Sequence, residues 1–349
     1  MIKVAIDSGP TKSGDAIRGI GVHTANLVKY LRKLKDLDID VVDFSKVDLG
    51  KYDIAHYQKF NPYFFSVPFI KKTKTVLTIH DLIYLIYPKH YPPGIKGRIR
   101  LLIQKFLVKK ADAVITISET SKKDIVRFLG ISQEKIHVIY LAPREIFKSI
   151  VDQELLNKIK NKYNLPERFV LYVGDVNYNK NVLGLCKACK LAKIPLVIAG
   201  KQAASKDFDR AHPENKPLVK LLKEYREDPN VVRIGFVPDE DLVGIYNLTS
   251  LYCQPSFYEG FGLPVLEAFA SECPVVASKT QALVEIAEPG AIFADPKDPA
   301  DIAEKISMVL KDPTLRAQLI ETGKALVKKY SWDKVARETA KVYEKVNRL

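Results

Sequence analysis

The chain has 349 residues, 47% hydrophobic and 28% charged, which suits a water-soluble globular protein of two or three domains, each half long enough to bury its own core. No apolar run is long enough to cross a bilayer, and the opening MIKVAIDSGP starts a strand without a signal-peptide pattern, so a cytoplasmic protein is expected. The formal charge of +14 calls for an anionic partner: nucleic acid, an anionic membrane surface or phosphorylated small molecules.

Short apolar runs alternate with longer helical patterns from end to end, which implies parallel sheets with crossover helices. In the first half, strands are expected at 2–6, 39–42, 53–57, 75–79, 113–117 and 136–140, with helices over 22–34, 99–110 and 119–129, the last capped by Ser118. The connection after the first strand is glycine-rich and leads into a helix near Gly21, with Gly19 two residues earlier; glycine there permits close backbone approach to a ligand. It lacks the full G-x-G-x-x-G of a dinucleotide fold, which counts against an NAD enzyme. The strand over 75–79 ends in His80 and Asp81, at the carboxyl edge where open parallel sheets bind ligands. Residues 89–110 hold seven Lys or Arg and no acid. Ile99, Leu102, Ile103, Phe106 and Leu107 fall on one helical stripe there, which we read as a surface helix with its apolar face in the core and its cations outward; a membrane-lying helix is the alternative.

The pattern breaks over 142–167, and strand–helix alternation restarts at Phe169, which predicts a domain boundary. Strands are expected at 169–173, 196–199, 231–234, 251–254 and 275–277, followed by helices over 298–311, 315–330 and 332–347 with no strand after them. The loop after the first of these strands runs from Gly174 through Asn179 and Lys180, and Lys201 follows the next strand as a second candidate cation. Cys186 and Cys189 form a C-x-x-C, but Cys253 and Cys273 supply no second pair and no histidine stands at ligand spacing, so the motif reads as small buried helix residues in a reducing compartment.

The most informative segment is PSFYEGFGLPVLEAFASECPVVAS, residues 255–278. Glu259, Gly260, Phe261, Gly262, Leu263 and Pro264 make a glycine-flanked turn into a helix, and Glu267 lies eight residues after Glu259. Proline favours the first helical turn, and the free N–H groups there, with the positive end of the helix dipole, suit an anion such as a phosphate. Two carboxylates beside an anion site make sense if the ligand joins phosphate to hydroxyl-rich groups, because a carboxylate accepts two hydrogen bonds from a sugar diol.

This E-x7-E pattern resembles the signature of the retaining glycosyltransferases of family 4, and the resemblance extends over nearly the whole chain. It implies the GT-B fold, an α/β architecture of two Rossmann-like domains whose parallel sheets face a central cleft. Residues 1–150 would be the acceptor-side domain, with the helix 332–349 packing back on it, and 165–330 the nucleotide-sugar-binding domain. On this resemblance Glu259 and His80 are the catalytic candidates, Glu259 on hydroxyls of the transferred sugar and His80 on that sugar or the acceptor. Donor binding falls to Gly19, Gly21, Gly174, Asn179, Lys180, Lys201, Gly260, Phe261, Gly262, Leu263 and Glu267, with Glu267 on ribose. Asn179 stands where many members carry arginine, so part of the expected charge against the diphosphate is missing. The segment 233–238 resembles the family's nucleobase-lining segment.

The expected reaction is metal-independent transfer of a hexose, of mannose or glucose type, from a UDP-, GDP- or ADP-linked sugar to a glycan, lipid-linked or small-molecule acceptor, with retention of configuration. No cofactor and no metal are expected, because lysine and helix dipole neutralise the leaving diphosphate. The expected setting is the cytoplasm, with peripheral contact at an anionic inner membrane face. The rivals are a nucleotide-sugar epimerase, a non-catalytic sugar-nucleotide sensor of the same fold, and a basic nucleic-acid-binding protein. The last lacks a recognition motif or aromatic–basic platform, so no nucleic-acid partner is expected.

Overall fold

A computed structural model describes residues 1–12 and 19–349. The chain divides into two compact units, Met1–Ala142 with Tyr330–Leu349, and Pro143–Lys329. Each is a six-stranded sheet in which every described strand pair is parallel.

In the first unit the strands are β1 (Ile2–Asp7), β2 (Leu37–Val42), β3 (Ile54–Tyr57), β4 (Lys74–Thr78), β5 (Ala113–Thr116) and β6 (Ile136–Val138). Their spatial order is β2-β1-β3-β4-β5-β6, so the order reverses between β1 and β3. Strands covered on both faces read as continuous apolar runs, as Val4, Ala5 and Ile6 show. The final helix Trp332–Asn347 belongs to this unit. Ser331 caps it by accepting from the Lys334 N–H, and Trp332, Val335, Ala336, Val342, Tyr343 and Val346 enter the core formed with Ile6, Leu27, Leu31 and Ile54. Burial of each large apolar side chain contributes about 1.5 to 3 kcal/mol, so this last segment is integral to the unit. The buried Tyr343 hydroxyl lies 2.6 Å from Nδ1 of His56 on β3.

The helix Gly94–Leu107 corrects the expected packing of the cationic segment. Its inward face is Gly97, Gln104 and Leu107, while Ile99, Leu102, Ile103 and Phe106 are exposed. Gln104 fixes that face by accepting from the Ser66 N–H at 2.9 Å and donating to the Asn61 carbonyl at 2.5 Å. Gly97 fits where a side chain would crowd Pro93 and Tyr63. Apolar periodicity locates an amphipathic face but does not say whether protein or another phase covers it, and here a buried amide and a glycine outcompete the isoleucines for the interior.

In the second unit the strands are β7 (Val170–Val173), β8 (Leu196–Ala199), β9 (Val231–Gly235), β10 (Leu251–Gln254), β11 (Val275–Ser278) and β12 (Ala291–Ala294). The order β12-β11-β10-β7-β8-β9 reverses between β7 and β10. The edge strand β12 was not expected from sequence: it is four residues long, two of them alanine, and gains its conformation from pairing with β11. The helix Gln153–Lys162, capped by Asp152, lies within the segment where the sequence pattern breaks. Cys186 and Cys189 are buried in the helix Val182–Ala192, and burial pushes the Cys186 thiol up to about 12, so neither is a ready thiolate.

Candidate active site

Open parallel sheets hold ligands beyond the carboxyl ends of the strands where their order reverses. In the second unit those ends belong to β7 and β10, and the two loops leaving them carry Lys180 and Glu259. The backbone first permits this. Gly174 has a φ of +146°, and a Cβ at Gly200 would stand 2.2 Å from the Gly174 carbonyl oxygen, so the loops after β7 and β8 approach as only glycine allows.

Hydrogen bonds then tie the β7 loop to the β10 loop. The Phe257 N–H donates to the Asn179 carbonyl at 2.7 Å, and Asn179 Nδ2 donates to the Tyr258 carbonyl at 3.1 Å. The buried Asn179 therefore positions the neighbouring loop, a role its place in the motif did not suggest. Asn181, in left-handed conformation at the start of Val182–Ala192, adds bonds from Nδ2 to the carbonyls of Pro255 and Pro296.

Lys180 Nζ lies 2.8 Å from both carboxylate oxygens of Glu259. Glu259 is 6% exposed, and its Oε1 also accepts from Gln254 Nε2 at 2.7 Å and Ser256 Oγ at 2.6 Å. Such a carboxylate is fixed in position by three donors, and its cation is the group that an incoming anion would compete for.

Three residues on, Gly262 caps the start of the helix Leu263–Ala270; its φ is +117°, and a Cβ there would come within 2.6 Å of Leu283. Pro264 occupies the first turn. Glu267, one turn in and buried, lies 3.2 Å from Arg144 Nη2, with the Tyr246 hydroxyl at 3.5 Å. Arg144 also pairs with Asp239 at the start of the helix Asp239–Leu248, and its buried Nε has no hydrogen-bond partner among the described residues. Burial raises the Glu267 pKa above its ordinary value, while Arg144 works in the opposite direction. Arg144 was not singled out from sequence: it lies in the irregular segment that opens the second unit, 123 residues from the acid it pairs with.

Of the remaining donor-site expectations, Phe261 is buried in the turn, and Lys201 is exposed just past the end of β8. Phe236, just after β9, is 54% exposed, a feature the sequence pattern did not flag. Gly19 and Gly21 open the helix Gly19–Leu31 of the first unit; residues 13–18 of that connection lie outside the described residues.

His80 follows β4 in the first unit. Its Nε2 shares a hydrogen bond of 2.8 Å with Nδ1 of His23, and burial pushes its pKa down to about 4. Burial brings His56 down to about 3, and His23 is also driven well below 6.5 by burial and by its histidine neighbours. His80 is thus a neutral hydrogen-bonding group near pH 7. One consequence is measurable. Since these folded pKa values are depressed, the unfolded chain takes up protons that the folded unit refuses, and stability falls as pH drops below 6.5 toward about 4. Each histidine is expected to contribute about 1.4 kcal/mol per pH unit in that window. Thermal denaturation near pH 7 and at about pH 5 checks this; a midpoint that does not move would contradict it.

Two Rossmann-like units, with a lysine–carboxylate pair and a glycine-capped helix at the reversal point of the second, define a GT-B glycosyltransferase. A family model described as "Glycosyl transferases group 1" matches residues 155–326, and one described as "Glycosyltransferase Family 4" matches residues 44–142. The O-antigen chain mannosyltransferase B of Escherichia coli is 30% identical over 281 residues, covering 78% of this chain and 70% of that protein. Among solved structures, sucrose-phosphate synthase from Thermosynechococcus elongatus aligns with a TM-score of 0.75 at 20% identity, over 99% of both chains. Anabaena HepE in complex with UDP and glucose aligns with a TM-score of 0.74 at 16% identity, over 99% of this chain and all (100%) of that one. The chain belongs to glycosyltransferase family 4 and is a glycosyltransferase enzyme.

Proposed function

We propose that the protein transfers a hexose, of mannose or glucose type, from a nucleoside diphosphate sugar to a glycan or lipid-linked acceptor, retaining the anomeric configuration and without a metal ion. The observation that carries this is the pairing of Lys180 with Glu259 at the reversal point of the second sheet, next to the helix mouth at Gly262. The mannose alternative draws on the family relative, and the nucleotide donor draws on the UDP held by the structural neighbour.

In this reading Glu267 accepts from ribose hydroxyls, and Lys180 with the Gly260–Leu263 backbone meets the diphosphate. Glu259 accepts from hydroxyls of the transferred sugar. The bond from the anomeric carbon to the phosphate oxygen breaks, the acceptor oxygen bonds on the same face, and its proton passes to the departing phosphate. Stabilising the developing phosphate charge is the main contribution, since a fixed lysine and helix N-terminus need no reorganisation as the bond breaks. The first unit holds the acceptor, with neutral His80 as a hydrogen-bonding contact. No described helix is long and apolar enough to cross a membrane. The proposed setting is the cytoplasm, with peripheral contact at the inner membrane face.

A thermal-shift panel of UDP, GDP and ADP with their sugars tests the donor assignment. A ligand at about 100 times its dissociation constant adds about 2.7 kcal/mol, so one nucleotide series is expected to raise the melting temperature. No shift with any of them at millimolar concentration removes the donor assignment. Turnover of an α-linked donor is expected to give an α-linked product by proton NMR; a β-linked product removes the retaining mechanism.

A further inference from the structure

The first sheet also has a reversal point, between β1 and β3, and a cavity of about 700 Å³ lies at the strand ends there. Asp7, Phe44, Tyr57, Lys59, Phe64 and Phe65 are among its lining residues. A carboxylate and a cation beside aromatic rings suit a saccharide, whose hydroxyls need acceptors and donors and whose C–H faces lie against rings. Asp7 closes β1 and accepts from the Gly9 N–H at 3.0 Å; Phe44 and Tyr57 meet edge to face with centroids 4.8 Å apart.

The loop that walls this cavity also faces outward. Phe64 is 62% exposed, Phe69 56% and Ile70 78%, and Phe65 packs on Phe69 with centroids 5.0 Å apart. The Arg100 guanidinium, on the helix Gly94–Leu107, lies 5.6 Å from the Phe64 ring and 5.9 Å from the Phe65 ring, so loop and helix make one surface. On that helix Ile95 is 81% exposed, Leu102 69% and Phe106 67%. Apolar surface of this extent on one face marks an interaction site. Exposed Lys96, Arg98, Lys109 and Lys110 rim it, and no acidic residue occurs between Asp81 and Asp112. A second copy of the chain would bring like charges together across this face. An anionic lipid surface complements both its apolar side chains and its cations.

We propose that the β1/β3 cavity takes the saccharide head of an acceptor whose apolar anchor stays in an anionic lipid surface, and that the loop over residues 60–70 with the helix Gly94–Leu107 docks on that surface. This rests on the reading that the first unit holds the acceptor. It narrows the acceptor to the lipid-anchored class and names the cavity and the face that meet it. Transfer then occurs at the bilayer surface, and the docked loop sets the height at which the acceptor hydroxyl is presented.

Co-sedimentation of the full chain with phosphatidylcholine vesicles, with and without phosphatidylglycerol, tests the docking. Binding is expected only to the anionic vesicles and is expected to weaken as salt shortens the screening length. The double variant Leu102→Glu/Phe106→Glu changes two exposed positions and is expected to lose at least about tenfold in vesicle affinity. It should keep its turnover on methyl mannoside while losing turnover on a long-chain alkyl mannoside embedded in anionic vesicles. Asp7→Asn, in contrast, should depress turnover on both acceptors and leave vesicle binding unchanged. Equal sedimentation with neutral and anionic vesicles, or equal loss of both turnovers in the double variant, overturns the proposal. Nucleotide-induced thermal stabilisation of the same samples reports on the donor assignment separately.

Discussion

Arg144→Ala is expected to destabilise the second unit by about 3 to 5 kcal/mol, the usual cost of removing one partner from a buried ion pair. Arg144 is the cation facing the buried Glu267, at 3.2 Å, and it is shared with Asp239. Without it Glu267 keeps its burial and loses the charge that opposes burial, so its pKa rises further above 4.5. The folded state then holds a proton that the unfolded chain would release. The sign follows: the deficit grows as pH rises above the unfolded carboxyl value, and part of the stability returns in acid. Denaturant unfolding at several pH values measures this. Replacing both partners, Arg144→Met with Glu267→Gln, is expected to recover most of the loss, since it leaves no uncompensated charge at the buried Glu267 position and only the half-exposed Asp239 carboxylate without its cation. An alanine variant as stable as the wild type would show that the pair contributes little.

The two carboxylates of the motif are expected to separate in their effects. Glu259→Gln should depress turnover by roughly ten- to a hundredfold, as loss of one charge-assisted hydrogen bond typically costs about 1.5 to 3 kcal/mol. Nucleoside diphosphate affinity should not weaken. Lys180, which is held by Glu259 at 2.8 Å, is released for the phosphates when that charge is removed. Glu267→Gln should weaken free nucleotide and donor alike by a similar factor, because both present the same ribose. Steady-state kinetics on each variant gives the turnover side of the comparison. Should Glu259→Gln lose nucleotide affinity as severely as Glu267→Gln while keeping its turnover number, the roles are reversed or shared.

The two α/β units were legible because buried parallel strands leave short apolar runs at regular intervals, as Leu196–Ala199 and Leu251–Gln254 do. Strand and helix ends moved by a few residues, since end residues are decided by capping and pairing that composition does not encode. The turn at Glu259–Pro264 was legible because glycine, proline and acid stand together where backbone geometry demands each of them. Three features were not legible, and for a shared reason. The Lys180–Glu259 pair joins loops 79 residues apart, the Arg144–Glu267 pair spans 123, and the exposed face of Gly94–Leu107 depends on Gln104 meeting Asn61 across 43. Each partner choice is made by strand order and side-chain reach after the sheets have formed. Local periodicity could say that Ile99, Leu102 and Phe106 share a stripe. It carried no information about what covers that stripe.

The measurement that bears most directly on the donor site is calorimetric titration of UDP and GDP into the intact protein and into the Glu267→Gln and Glu259→Gln variants. One diphosphate is expected to bind the wild type, to bind Glu267→Gln roughly ten- to a hundredfold more weakly, and to bind Glu259→Gln at least as tightly as the wild type. Binding that is indifferent to Glu267→Gln would contradict the placement of the nucleotide at the helix mouth of the second unit.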